Sequence, residues 1–81
     1  MKPSHRLKAT KNRFGFHLRQ YRLDAGLSQE DLGVLTGSQK SCISSWELGH
    51  WYPQPSIVPL LETALGVPAG DLQRYIPDEE A

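Results

Sequence analysis

The side chains able to do covalent or metal chemistry are few and scattered. Cys42 is the one cysteine, and His5, His17 and His50 lack the short spacings that bring ligands onto one ion. No glycine-rich phosphate loop and no nucleophile–base pairing is visible, so neither an enzyme nor a metal or other cofactor is expected. A different set is clustered. Gln39, Lys40, Ser41, Ser44 and Ser45 fall within seven residues. At helical spacing they line one side, while Ile43 and Trp46 point to the other with Cys42 beside them. Serines are poor helix formers, and a face selected for stability would carry alanine, glutamate or lysine. Small hydroxyls beside an amide and an ammonium suit close approach to another macromolecule and hydrogen bonding to its edges. Cys42, on the inner side, reads as an inert packed thiol.

The elements that must position this face run from Leu27 to Gly49. Ser28 with Asp31 three residues on resembles a capping box, and Glu30 and Asp31 complement the positive end of a helix. Leu32 and Leu35 are expected to face inward. Gly33, mid-helix, costs about 1 kcal/mol relative to alanine, which makes sense where another backbone comes close. Gly37 makes a turn, and a second helix, about Gln39–Leu48, ends at Gly49. Two short helices joined by a glycine turn, the second with a small polar outer face, have the layout of a helix-turn-helix that reads the DNA major groove.

Around that unit the pattern is helical throughout, with no strand signals or repeats. A first helix is expected over about Arg13–Ala25, with Phe14, Leu18, Tyr21 and Ala25 as one apolar stripe, Asn12 as N-cap and Gly26 as its end. Residues 49–56 form a loop in which Trp51 and Tyr52 pack beneath it, touch phosphates or meet a partner. Pro59 lacks an N–H and must lie in a first turn. Ser56 as N-cap and a helix over Ile57–Leu65, with Val58, Leu61 and Leu65 inward, satisfy that. A last helix is expected at about Ala69–Arg74, with Leu72 and Tyr75 or Ile76 closing the core.

Eighty-one residues allow one small domain. The expected division is a flexible basic arm at 1–12, a folded domain at 13–76 and a disordered acidic tail at 77–81. The formal charge is zero but polarised: residues 1–23 hold seven Lys and Arg and no acid, and residues 24–81 hold two against nine acids. A basic arm feeding the first helix suits phosphate contact. No apolar run approaches a membrane span, and a lone thiol fits a reducing cytoplasm, so a cytoplasmic protein is expected.

At this point a resemblance enters. The run Arg22-Leu-Asp-Ala-Gly-Leu-Ser-Gln-Glu-Asp-Leu, then Thr36-Gly37, Ile43-Ser-Ser-Trp-Glu47-Leu-Gly49, Pro53 and Ala64-Leu-Gly-Val67 resemble the phage repressor and Cro family, the xenobiotic-response-element (XRE) type of helix-turn-helix. The likeness covers roughly residues 13–76. It implies an all-α, five-helix lambda-repressor-like domain with helices 2 and 3 as the DNA-reading unit. It also implies a phosphate contact from Gln29, a largely buried ion pair between Arg22 and Glu47, and base-edge contacts from positions 39, 40, 41, 44 and 45. Four residues depart from the family pattern: Gly33 for alanine, Ser38 for an aliphatic, Trp46 for a smaller aliphatic, and Glu62 for alanine. Gly33 or Ser38 would make room for Trp46.

The expected function is sequence-specific binding of a double-stranded DNA operator by a transcriptional regulator, a repressor, acting as a homodimer. Gln39 suits adenine, and Lys40 suits guanine or a phosphate. Arg13, Gln29, His50, Trp51 and Tyr52 are the candidates for setting register on phosphates. The alternative is a protein-interaction module, such as a toxin-neutralising antitoxin that represses its own operon.

Overall fold

The computed structural model of the chain describes the backbone of residues 3–77 and the side chains of residues 13–77. Four α-helices follow in order: α1 (Pro3–Asp24), α2 (Gln29–Thr36), α3 (Lys40–Leu48) and α4 (Val58–Leu65). A three-residue 3-10 turn at Gln73–Tyr75 closes the described part, which holds no strand. One core joins them: Phe14 and Leu18 of α1, Leu32 of α2, Ile43 and Trp46 of α3, Val58, Leu61 and Leu65 of α4, and Leu72 beyond.

Several expectations are corrected. The first helix starts at Pro3, well before Arg13. Proline is suited to a first helical position, and the Leu, Lys and Ala that follow continue a helix readily. The contacts expected of the arm's side chains, and the acidic end at 78–81, lie outside the described residues. Within α1 the stripe holds through Phe14 and Leu18, with Tyr21 half-buried, but Ala25 is exposed.

Leu35 does not face inward; it is 57% exposed. The inner face of α2 is set by Leu32, Gly33 and Thr36, which are buried. At 100° per residue Leu35 lies on the other side of that arc. Thr36 takes the inward place, its hydroxyl donating to the Leu32 carbonyl at 2.8 Å.

The fifth helix is absent as an α-helix. Gly70 sits at φ 89°, a left-handed conformation that interrupts the run from Ala69, and only the 3-10 turn forms after it. Leu72 nevertheless closes the core, fully buried. The start of α4 also differs. The chain already turns at residues 55–57, with the Ile57 amide donating to the Gln54 carbonyl at 2.9 Å. Ile57 therefore occupies the cap position without a side-chain cap, and Pro59 is the second helical residue rather than the third.

Candidate nucleic-acid interface

The joint between α2 and α3 forms as its residues dictate. Ser28 and Asp31 complete the capping box reciprocally: the Asp31 amide donates to Ser28 Oγ at 2.9 Å and the Ser28 amide to Asp31 Oδ2 at 3.0 Å. The bond from the Ser28 amide first, and then the Ser28 hydroxyl, hold the Asp31 carboxyl below its usual range. Gly37 ends α2 at φ 70°, where a side chain would be strained. The Ser38 amide then donates back to the Gly33 carbonyl at 2.8 Å. Gly33 serves the close approach expected of it: a Cβ there would stand 2.5 Å from the Ser38 carbonyl oxygen. The space is filled by the turn's own backbone rather than by Trp46.

α3 is fixed from behind. Arg22 on α1 donates through Nε to Glu47 Oε2 at 2.6 Å and through Nη2 to Oε1 at 3.1 Å. Its Nη1 donates to the Leu27 carbonyl at 2.9 Å. Both side chains are nearly buried, at 8% and 3% exposure. The bond to Glu47 raises the Arg22 pKa against the opposing effect of burial. Gln29 joins this pair, its Nε2 donating to Glu47 Oε1 at 3.0 Å. One of the two N–H groups of the side-chain amide expected to meet a phosphate is thus held by Glu47, and the second is left as a donor at the start of α2.

Behind α3 lies a contact that sequence reasoning missed. A Cβ on Gly15 would collide with the backbone oxygens of Glu47 and Trp46. The absent side chain lets α1 lie directly on the last turn of α3. A glycine within an otherwise helix-favouring stretch was the available signal.

The outward side of α3 holds the predicted base-edge set. Gln39, Lys40 and Ser41 are exposed, and Ser44 and Ser45 are half-exposed. Gln39 is the N-cap residue but makes no side-chain cap, so the first amides of α3 remain available to an anion. Ser41 Oγ reaches Gln39 Oε1 only at 3.5 Å. Cys42 is half-buried on the flank. Past Gly49, His50 and Trp51 are exposed, and Trp51 is 66% accessible. Tyr52 turns inward to an edge-to-face contact with Phe14, ring centres 5.8 Å apart. Arg13 is exposed and lines a groove with Arg74 and Tyr75 of the C-terminal segment. The structure therefore brings Gln39, Lys40, Ser41, Ser44 and Ser45 onto one surface, puts Gln29 on the Arg22–Glu47 pair, and sets Arg13 on the groove with Arg74. No group of residues able to hold a metal occurs among the described residues, and no helix there is long and apolar enough to cross a membrane.

A glycine-turned helix pair whose second helix is gripped from behind and bare in front defines a helix-turn-helix domain. Residues 13–75 match the model of a helix-turn-helix domain family, and the chain belongs to that family, in its XRE/Cro-like type. Its members are typically DNA-binding and non-enzymatic. A comparison with curated proteins returned no match.

Proposed function

We propose that the protein is a sequence-specific double-stranded DNA-binding regulator, a repressor, that inserts the N-terminal part of α3 into the major groove. One observation carries this reading: among the described residues the polar side of α3 has no side-chain partner beyond a long Ser41–Gln39 contact, while its other side is locked by Ile43, Trp46 and the Glu47 network. A helix so held presents its side chains with little freedom left to lose on binding.

In this reading Gln39 pairs with the N6 and N7 groups of adenine and Lys40 donates to guanine O6 or N7. Ser41, Ser44 and Ser45 make shorter, less selective contacts. Backbone amides at the start of α2, with His50, Trp51 and Arg13, set register on phosphates. Two copies on half-sites about 34 Å apart supply the specificity that one small reader lacks. Polar readers on α3 with few cations mean that specificity comes from this face and much of the affinity from basic groups elsewhere.

The test is anisotropy titration of the full chain against its own upstream DNA and a scrambled duplex. Gln39→Ala and Lys40→Ala are expected to weaken specific binding by about 5- to 100-fold each while scarcely changing the scrambled duplex. Affinity for both is expected to fall steeply with salt. No binding of the upstream DNA at micromolar protein sinks this reading. Leu48 and Trp51, both large, apolar and exposed, favour the alternative of a toxin-neutralising antitoxin. Copurification of one stoichiometric basic partner from the native source is the outcome that reading requires.

A further inference from the structure

α1 is enclosed on three sides. Phe14 and Leu18 enter the core. Gly15 and Arg22 lie against α3. His17 and Tyr21 meet the C-terminal segment through Tyr75 and Asp71. At 100° per residue these positions leave one open side, along Phe16, Gln20 and Leu23. A helix side facing only water ordinarily carries polar and charged residues. This one carries a phenylalanine 57% exposed and a leucine 47% exposed, two turns apart on one line. The Phe16 ring rests edge-on to His17, ring centres 5.4 Å apart, so it is already partly ordered. Exposed Arg13 and Asp24 flank this line on the side of Gln20, and exposed Arg19 flanks it on the other. Single apolar residues are ordinary on a surface. Two on one line, with charges along both borders, have the pattern of a helix–helix seam.

We propose that two copies of the chain pair along this side, α1 against α1, antiparallel about a two-fold axis near Arg19 and Gln20. The order of charges along the helix selects that occupant and that direction. Antiparallel pairing sets Phe16 on the partner's Leu23, and the two-fold repeats the contact. In the same register Arg13 lies within about 3 Å, along the helix axis, of the level of the partner's Asp24. The two stand on the same flank, and this pair is also made twice. Parallel pairing would instead oppose Arg13 to the partner's Arg13 and Asp24 to the partner's Asp24. Ion pairs at an exposed rim add little affinity, but they fix partner and register. Arg19 faces its own copy near the axis, the one like-charge approach in the seam. With five donors, the Arg13 guanidinium can serve this carboxylate and a phosphate alike. The apolar centre is small, so the pairing belongs with the weak, reversible interfaces. It needs no DNA, and it stands or falls apart from the DNA-binding reading.

The experiment is sedimentation equilibrium of the full chain, without DNA, from about 1 μM to about 500 μM. A monomer–dimer equilibrium with a dissociation constant of roughly 10–200 μM is expected. Phe16→Gln/Leu23→Gln is expected to weaken it by about tenfold or more. Arg13→Glu alone and Asp24→Arg alone each place two like-charge pairs at the rim, and each is expected to weaken the dimer roughly three- to tenfold. The swap Arg13→Glu/Asp24→Arg makes the rim pairs again with their signs exchanged, and it is expected to restore the parent constant. All four positions are exposed, and circular dichroism melting checks that each variant folds. If the apolar variant loses its melting transition, the charge swap decides. A chain still monomeric at about 500 μM overturns the proposal. So does a dimer that survives Phe16→Gln/Leu23→Gln, which would put the contact elsewhere. A swap that fails to restore the dimer overturns the antiparallel register, and the proposal with it.

Discussion

The helix pair α2–α3 is fastened to α1, and the C-terminal segment to α1 and α4, by different means. At α2–α3 the fastening is apolar burial plus a nearly buried charge pair, and α1 rests on α3 with no side chain between them at Gly15. At the C-terminal segment it is a set of polar pins around one leucine. Buried Glu62 accepts from the Leu72 amide at 2.9 Å and the Gln73 amide at 3.3 Å. Tyr21 donates to Asp71, and His17 stacks on Tyr75. The first joint resists changes of solution, because its charges see little water. The second is made of hydrogen bonds that titrate or open locally. The proposed DNA-reading role needs the first kind of joint, and a segment that closes a small core can be held by the second.

The largest test of this contrast is Glu47→Ala. It strands a buried guanidinium and frees Gln29, and a loss of about 3–5 kcal/mol in denaturant unfolding is expected. Glu62→Ala removes the acceptor from two amides, with an expected loss of about 1–3 kcal/mol. Hydrogen exchange separates the two sites further. Glu62→Ala should speed exchange at Leu72 and Gln73 with little change at Ile43 and Trp46, as local opening requires. Uniform acceleration across all four would erase the distinction between the joints.

The smallest effect is alkaline. The bond to Asp71, then burial, raises the Tyr21 phenol to about 12 from its usual 10.0. A pKa raised on folding gives stability that is complete below the unfolded value and lost as pH rises through the folded one. Urea midpoints should therefore fall between pH 10 and about 12 in the parent and less steeply in Tyr21→Phe. Parallel curves would remove this pin from the second joint.

What the sequence revealed follows the same division. The capping box at Ser28 and Asp31, the glycine stops and the inward Ile43 and Trp46 are local matters of spacing and backbone preference, and they were legible. So was the Arg22–Glu47 pair, through family likeness. Leu35 was misplaced because the face of α2 is decided by Thr36 bonding back to Leu32, which a pattern of apolar letters does not register. Glu62 looked like a departure from an alanine; its role depends on amides ten and eleven residues away. The last helix failed at Gly70, whose left-handed backbone is one of two states a glycine takes freely. On the outward side of α3, Lys40, Ser41, Ser44 and Ser45 were legible from helical period, with Gln39 just before them. The engagement of Gln29 by Glu47 was not, since it needs the two helices in place.

Gly15 and Arg22 carry one more consequence. They lie seven residues apart, about two helical turns, and both meet Glu47, one at its backbone oxygen and one at its carboxylate. α1 is therefore indexed against α3 at two teeth of the same rack. One residue inserted between them turns the second by about 100° and disengages it. Substitutions along the exposed side of α1 should leave the fold intact across relatives of this chain, while insertions and deletions between these two positions should be rejected.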